Sequence, residues 1–337
     1  MIANFHARAL GDTEGAELIG CTSHSPVSAE RFVGEFGGDA FASLEQMLAD
    51  PRIDAVSICT PSGIHLDPAL AAAQAGKHVF VEKPLEITLE RCDQIIHACE
   101  SAGVKLGVAF QSRFHESSKL MKEAVDTGRF GKVAMGDAYV KWYRSQEYYD
   151  SGAWRGTWEF DGGGALMNQA IHSVDLLTWM MGPVTEISAF METRAHERIE
   201  VEDVAVATLR FANGALGVIQ ATTAAYPGSL KRIEISGSHG TAILEEEDIK
   251  SWEFADPTDR DEAVRREMAG RTQSGGGAAD PAAIGHHGHT ALFTDFVRAI
   301  QQDDQPLVDG QEGRRSVEII RGIYASAQQG KPIQLPL

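Results

Sequence analysis

The sequence predicts a doubly wound α/β domain with a parallel sheet, followed by an α+β domain with a large open antiparallel sheet. Three observations carry this prediction. Short apolar runs alternate with amphipathic stretches from Glu17 to about Phe110, the rhythm of strand-helix-strand units. After about Gly131 the pattern changes to longer strands punctuated by turns, as in antiparallel sheets. The length of 337 residues is about twice what a single core of roughly 150 residues needs, so two domains are expected, 1–115 and 116–337, with the closing helix able to pack back on the first.

In the first segment, ELIGCTS, IDAVSICTP, HVFVEKP and VKLGVAF read as strands, and SAERFVGEFG, SLEQMLAD, HLDPALAAAQAG and LERCDQIIHACESAG as helices. Residues 55–60 and 78–81 are apolar at successive positions, which suits strands covered by helices on both faces. Ser43 can cap its helix with Gln46 as capping-box partner, Asp67-Pro68 opens the next, and Gly76 and Gly103 stand where left-handed C-terminal caps form. In the second segment the strands are MGDAYVKWYR from Met135, VAVATLRF, ALGVIQATT, KRIEISG and TAILEE, with Asn213-Gly214 as a two-residue hairpin turn. Helices are predicted over 164–181, 290–302 and 312–329, and the Gly- and Ala-rich stretch 274–289 reads as a mobile loop. Residues 204–211 and 215–223 are apolar on both alternating sets. A second face therefore needs a cover, and a homodimer or homotetramer is expected.

Charge and cysteine content narrow the partners. Thirty Lys plus Arg against 48 Asp plus Glu leave a net charge of -18, which repels phosphate backbones and excludes nucleic acid and anionic membranes as expected partners. No stretch approaches the roughly 18 apolar residues of a membrane span, and MIANFHARALGD has no apolar signal-peptide core. The four cysteines form no CxxC pair and read as reduced thiols of a cytoplasmic protein.

Chemistry gathers at strand ends and at one helix start. Thr60-Pro61, with Ser62, Gly63 and His65, follows one buried strand, and Glu82-Lys83-Pro84 follows the next. Ligands bind at this edge of open α/β sheets, where strand ends and helix N-termini converge. Asp161 to Asp175 contains three glycines before a helix on which Asn168, His172 and Asp175 share one face. An imidazole there can serve as acid and base near neutral pH. The aromatic stretch Tyr148 to Trp158 includes Trp154 and Arg155, a stacking surface and a guanidinium fork that suit a sugar.

Thr-Pro with His, then Glu-Lys-Pro, then Gln111-Ser112-Arg113-Phe114, then GGGALMNQAIHSVD, occur here in one order. The chain resembles the Gfo/Idh/MocA family of nicotinamide-dependent oxidoreductases from end to end. The resemblance implies oxidation of a secondary hydroxyl of a sugar, inositol or related polyol, with NAD or NADP as cofactor. It assigns Lys83 to orient and polarise the substrate oxygen and His172 to carry the proton. Ala3, Ser23, His24, Thr60, Pro61, His65, Glu82, Lys83 and Gln111 are then expected around the cofactor. Arg113, Trp154, Arg155, Asn168 and His172 are expected around the substrate. Two other activities use the same frame: a hydrolase or epimerase that retains its nucleotide, and a non-catalytic sugar or nucleotide sensor.

Two departures from the family pattern bear on this reading. Asn168 stands where many members have Asp, and an amide cannot take up a proton, so His172 acts without a carboxylate relay. The sequence opens just after the second glycine of the family's Gly-x-Gly-x-x-Gly/Ala turn, with Ala3 at the third Gly/Ala position, so the first strand and both phosphate-cradling glycines are missing, as from an incomplete start. The loop Thr22-Ser23-His24-Ser25 has no carboxylate to repel a 2′-phosphate, which favours NADP. His286, His287 and His289 read as part of a solvated loop, and no metal is expected.

Overall fold

The computed structural model describes residues 2–272, 277–278 and 285–337, and the chain forms two compact units. The first is Met1–Gln111 with Gly285–Arg314, the second Ser112–Ile284 with Arg315–Leu337.

Five parallel strands build the first unit: β1 (Gly20–Thr22), β2 (Asp39–Phe41), β3 (Ala55–Ile58), β4 (His78–Val81) and β5 (Leu106–Val108). They lie in two sheets, β1 with β2 and β3-β4-β5 in that order, and no described strand joins the two. Val79, Phe80 and Val81 of the central strand β4 are all buried, which is why that run is apolar at successive positions. Burying Phe80 alone contributes about 1.5–3 kcal/mol. Ser43 accepts the Gln46 N–H at 3.2 Å, capping the helix Leu44–Ala49, and Gly76 and Gly103 end their helices with φ of 71° and 67°.

The second unit is built on an eight-stranded sheet of β6 (Val133–Lys141), β7 (Val184–Glu192), β8 (Val204–Phe211), β9 (Leu216–Thr222), β10 (Arg232–Gly237), β11 (Gly240–Glu245), β12 (Asp248–Phe254) and β13 (Ile333–Gln334). Its order is β12-β11-β10-β6-β9-β8-β7-β13. Every neighbouring pair is antiparallel except β6 and β9, which run parallel because β6 inserts between β9 and β10. One face is buried through Ala205, Ala207, Leu209, Phe211, Ile219, Ala221, Ile233 and Ile235. The other presents Phe190, Val206, Leu216 and Met135 to solvent on four adjacent strands, with Phe190 83% exposed. Among the described residues, then, nothing covers these four side chains on the second face.

Three local expectations are corrected. The turn between β8 and β9 has three residues, not two: Phe211 donates to the Ala215 carbonyl at 2.9 Å, leaving Ala212, Asn213 and Gly214 in the loop. Gly214, at φ 86°, supplies the left-handed last residue of that hairpin class, and Asn213 Oδ1 accepts the Ala215 N–H at 2.9 Å. The helix expected over 164–181 is instead a π-helical turn, Ala165–Ala170, running into an α-helix, Ile171–Met181. Most of the stretch read as a mobile loop lies outside the described residues, but its end is structured: a helix begins at His287 and runs to Gln301. No described helix is long and apolar enough to cross a membrane.

Candidate active site

In the first unit, strand register brings three polar turns to one edge. Glu82 donates its N–H to the Ile58 carbonyl at 3.0 Å, and Ala109 to that of Val81 at 3.0 Å. Thr60-Pro61, Glu82-Lys83-Pro84 and Gln111 therefore follow β3, β4 and β5 at the same C-terminal end. His65 is buried and ties two of these turns together. Its Nδ1 lies 2.9 Å from the Pro84 carbonyl and its Nε2 3.0 Å from that of Thr60. Gln111 Oε1 is buried without a hydrogen-bond partner among the described residues. Ser23 and His24 are exposed ahead of the helix Pro26–Phe36, and Ala3 lies in the helix Ile2–Gly11.

Glu82 is a hub that the sequence reading did not foresee. His6 Nε2 lies 2.7 Å from its Oε1, and His289 Nε2 3.8 Å from the same oxygen. The Lys83 N–H donates to Oε2 at 3.0 Å. Burial alone would raise the Glu82 pKa, but the imidazoles of His289 and His6 beside it hold it well below the usual carboxylate range. His6 Nδ1 is 2.7 Å from Ser57 Oγ and 3.3 Å from Cys59 Sγ. Burial would lower the His6 pKa; Cys59 and Glu82 outweigh it and lift it to about 10.

The assignment of all three GHHGH histidines to a solvated loop is therefore corrected for His289, which is 3% exposed beside Glu82. His287 is exposed, and His286 meets Asp12 at 2.9 Å near the surface. His289, Leu292, Phe293 and Phe296 stand at i, i+3, i+4 and i+7 and are all buried. That spacing was the signal for burial, masked by the glycines beside it.

In the second unit, the Gly162-Gly163-Gly164 turn leads into the π-helical turn that carries Asn168 and then into the α-helix with His172 in its first turn. Asn168 Nδ2 donates to Asp161 Oδ1 at 2.5 Å, while its Oδ1 accepts from Gln169 Nε2 at 2.8 Å. Gln169 Oε1 accepts from buried Arg144 at 2.9 Å, and its Nε2 meets the Tyr148 hydroxyl at 3.1 Å. Arg155 donates to that hydroxyl at 2.7 Å. Its guanidinium carbon sits 4.3 Å from the Tyr148 ring centroid and 4.4 Å from that of Trp154, a stacked cation on an aromatic wall. The roles of Asp161, Gln169, Arg144 and Tyr148 in this network were not foreseen: the contacts of Gln169 with Arg144 and Tyr148 span 25 and 21 positions.

Arg113 and Asp175 depart from their expected roles. Arg113 Nε and Nη2 donate to Asp175 Oδ2 and Oδ1 at 2.8 and 2.6 Å, with both residues essentially fully buried and Ser316 Oγ 3.3 Å from Oδ1. A guanidinium consumed in a buried bidentate pair is a structural clamp, not a substrate ligand. Asp175 is fully buried, with its carboxylate engaged by Arg113 and Ser316.

Residues 1–110 match the model described as the oxidoreductase family with an NAD-binding Rossmann fold, and residues 118–243 match the GFO/IDH/MocA C-terminal domain. A WlbA dehydrogenase from Bordetella pertussis, solved in complex with NADH and UDP-GlcNAcA, is similar with a TM-score of 0.91 and 38% identity, over 100% of this chain and 95% of that one. The myo-inositol 2-dehydrogenase of Thermotoga maritima is 35% identical over 60% of this chain and 59% of its own length. A 1,5-anhydro-D-fructose reductase of Ensifer adhaerens is 29% identical over 95% of this chain and 92% of its own. The matched region spans about three fifths of the length of the first of these curated relatives.

Proposed function

Because this chain belongs to the Gfo/Idh/MocA family of oxidoreductases, we propose that it is a cytoplasmic dehydrogenase that moves a hydride between a nicotinamide dinucleotide and a secondary hydroxyl or ketone of a sugar or polyol. The observation that carries the reading is the 38% identity across its whole length to a dehydrogenase complexed with NADH and a nucleotide-linked sugar acid. Nucleotide-linked uronic acids are accordingly the first substrates to test, ahead of free inositols.

In this reading the first unit holds the cofactor and the second the sugar. The residues fit a dinucleotide: three parallel strands end together in polar turns, and the buried Gln111 Oε1 has an acceptor lone pair to offer a ligand. Bound there, the nicotinamide supplies a hydride acceptor. Lys83 orients and polarises the substrate oxygen, and an imidazole nitrogen of His172 receives the hydroxyl proton. Asn168 donates to Asp161 and so fixes its amide, which transfers no proton itself. Arg155, stacked on Tyr148 and Trp154, offers a cation to a substrate carboxylate. Exposed Ser23 and His24 present no carboxylate to a 2′-phosphate, so NADP should be accepted alongside NAD. The four unpaired cysteines support a reducing compartment.

The test is stoichiometric production of NADH or NADPH with a panel of UDP-linked uronic acids, inositols and anhydrosugars. Substrate turnover with no net reduction of added cofactor would favour the nucleotide-retaining hydrolase or epimerase instead. Binding without any turnover would favour the sensor.

A further inference from the structure

The turn that delivers His172 is held by a carboxylate that the proposed reaction does not use. Glu202, just ahead of β8, is 2% exposed. Its Oε2 accepts the Gly164 N–H at 2.9 Å, its Oε1 accepts the Leu166 N–H at 2.8 Å, and its own carbonyl accepts the Ala165 N–H at 3.0 Å. Three consecutive amides at the start of the π turn thus end on one residue, where helical geometry would leave them unpaired. Tyr324, in the helix Gly310–Gln329, donates its hydroxyl to Oε1 at 3.1 Å. The glycines serve this approach. A Cβ at 164 would lie 1.8 Å from the Glu202 carbonyl oxygen, and one at 163, where φ is 158°, would lie 2.0 Å from the Tyr324 hydroxyl.

We propose that Glu202 is a positioning residue whose ionised side chain fixes the start of the π turn, and with it Asn168 and His172, and whose protonation loosens that turn. The inference rests on the reading of His172 as proton carrier. An ionised carboxylate only accepts, and so matches the Gly164, Leu166 and Tyr324 donors. A carboxylic acid must place a proton among them. The titratable groups around it are Tyr324 and, from the helix Gln146–Asp150, Tyr149. Adjacent Asp203 is turned to Arg194, Ala195 and His196, and Asp161 to Gly156 and Asn168. No cation is among the described hydrogen-bond partners of Glu202. Burial pushes its pKa up to about 7 even against the backbone N–H groups that lower it, so the change falls in the range where dehydrogenases are assayed.

Two measurements test this on the whole chain. The first is kcat and KM across about pH 5.5–9 for the wild type, Glu202→Gln and Tyr324→Phe. The second is hydrogen exchange of the 164–172 segment over the same range without cofactor or substrate, corrected for the intrinsic pH dependence of exchange. Glutamine keeps the shape of the protonated acid at every pH. The wild type should lose kcat on acidification with a midpoint near pH 7, with exchange of 164–172 rising in step. Glu202→Gln should lose that limb and sit at least about 10-fold below the wild type at about pH 8, with KM changed by no more than about 2-fold. Tyr324→Phe removes one donor to the carboxylate and should move the midpoint to higher pH. A wild-type profile in Glu202→Gln, or exchange at 164–172 that is flat across the neutral range, overturns the proposal. Should Glu202→Gln fail to fold, the Tyr324→Phe midpoint and the wild-type exchange decide. Exchange needs no turnover, so a wild type inactive on every substrate would count against the hydride-transfer reading alone.

Discussion

Replacing Asp175 by Asn should destabilise the second unit severely, and the structure sets the size of the effect. Arg113 is 1% exposed and directs two N–H groups of its fork to the two Asp175 oxygens. An amide keeps the shape but loses the charge, and it turns an NH2 toward a guanidinium that is itself only a donor. Breaking a buried ion pair from one side costs about 3–5 kcal/mol, because the remaining charge stays out of water. At about 2–4 °C per kcal/mol for a unit of this size, the midpoint of thermal unfolding should fall by roughly 6–20 °C. Calorimetry of the wild type and Asp175→Asn reads the shift directly. The double variant Arg113→Met/Asp175→Leu should recover much of it, since an apolar pair of similar volume leaves no charge behind. An Asp175→Asn midpoint within about 1 °C of the wild type would refute the assignment of this pair as a structural clamp.

Other outcomes follow from the same geometry. Lys83→Ala and His172→Ala should each lower kcat by at least about 100-fold while circular dichroism stays native; wild-type turnover in either would remove that residue from the mechanism. The His6 pKa in the folded chain, about 10, exceeds its ordinary 6.5, so its contribution to stability is complete below pH 6.5 and is lost as pH rises through 10. The urea midpoint of the first unit should therefore fall between neutral and alkaline pH, and His6→Asn should flatten that slope; an equal slope in the variant would exclude His6 as the source. We also expect a homodimer or homotetramer formed on the open sheet face, so light scattering should give a multiple of 36.4 kDa and Phe190→Glu should shift it toward the monomer. A monomeric wild type at micromolar concentration would exclude this.

What could be read from the sequence was what a short window determines. Val79-Phe80-Val81 announced a strand buried on both faces, and the Ser43 cap lies within three residues of its partner. The hairpin at Asn213-Gly214 was located correctly but not measured, because Gly214 suits both the two- and the three-residue turn. The π turn was hidden because its residues keep a helical composition, whereas the Glu202 carboxylate that accepts the Gly164 and Leu166 N–H groups stands 38 and 36 positions further along the chain. The partners of Arg113 and Glu82 lie 62 and 76 positions away, so a polar side chain that looks free in the sequence is already engaged in the fold.

The place of β6 in its sheet sets the order in which the second unit can be assembled. Its neighbours, β9 and β10, are both synthesised long after it, whereas β7, β8 and β9 follow one another and pair locally. At roughly 5–20 residues per second, β6 waits on the order of ten seconds on the ribosome with both edges unpaired. The β6–β9 pairing therefore closes a loop of more than seventy residues, the kind of distant contact that slows folding relative to the local β7–β8–β9 meander.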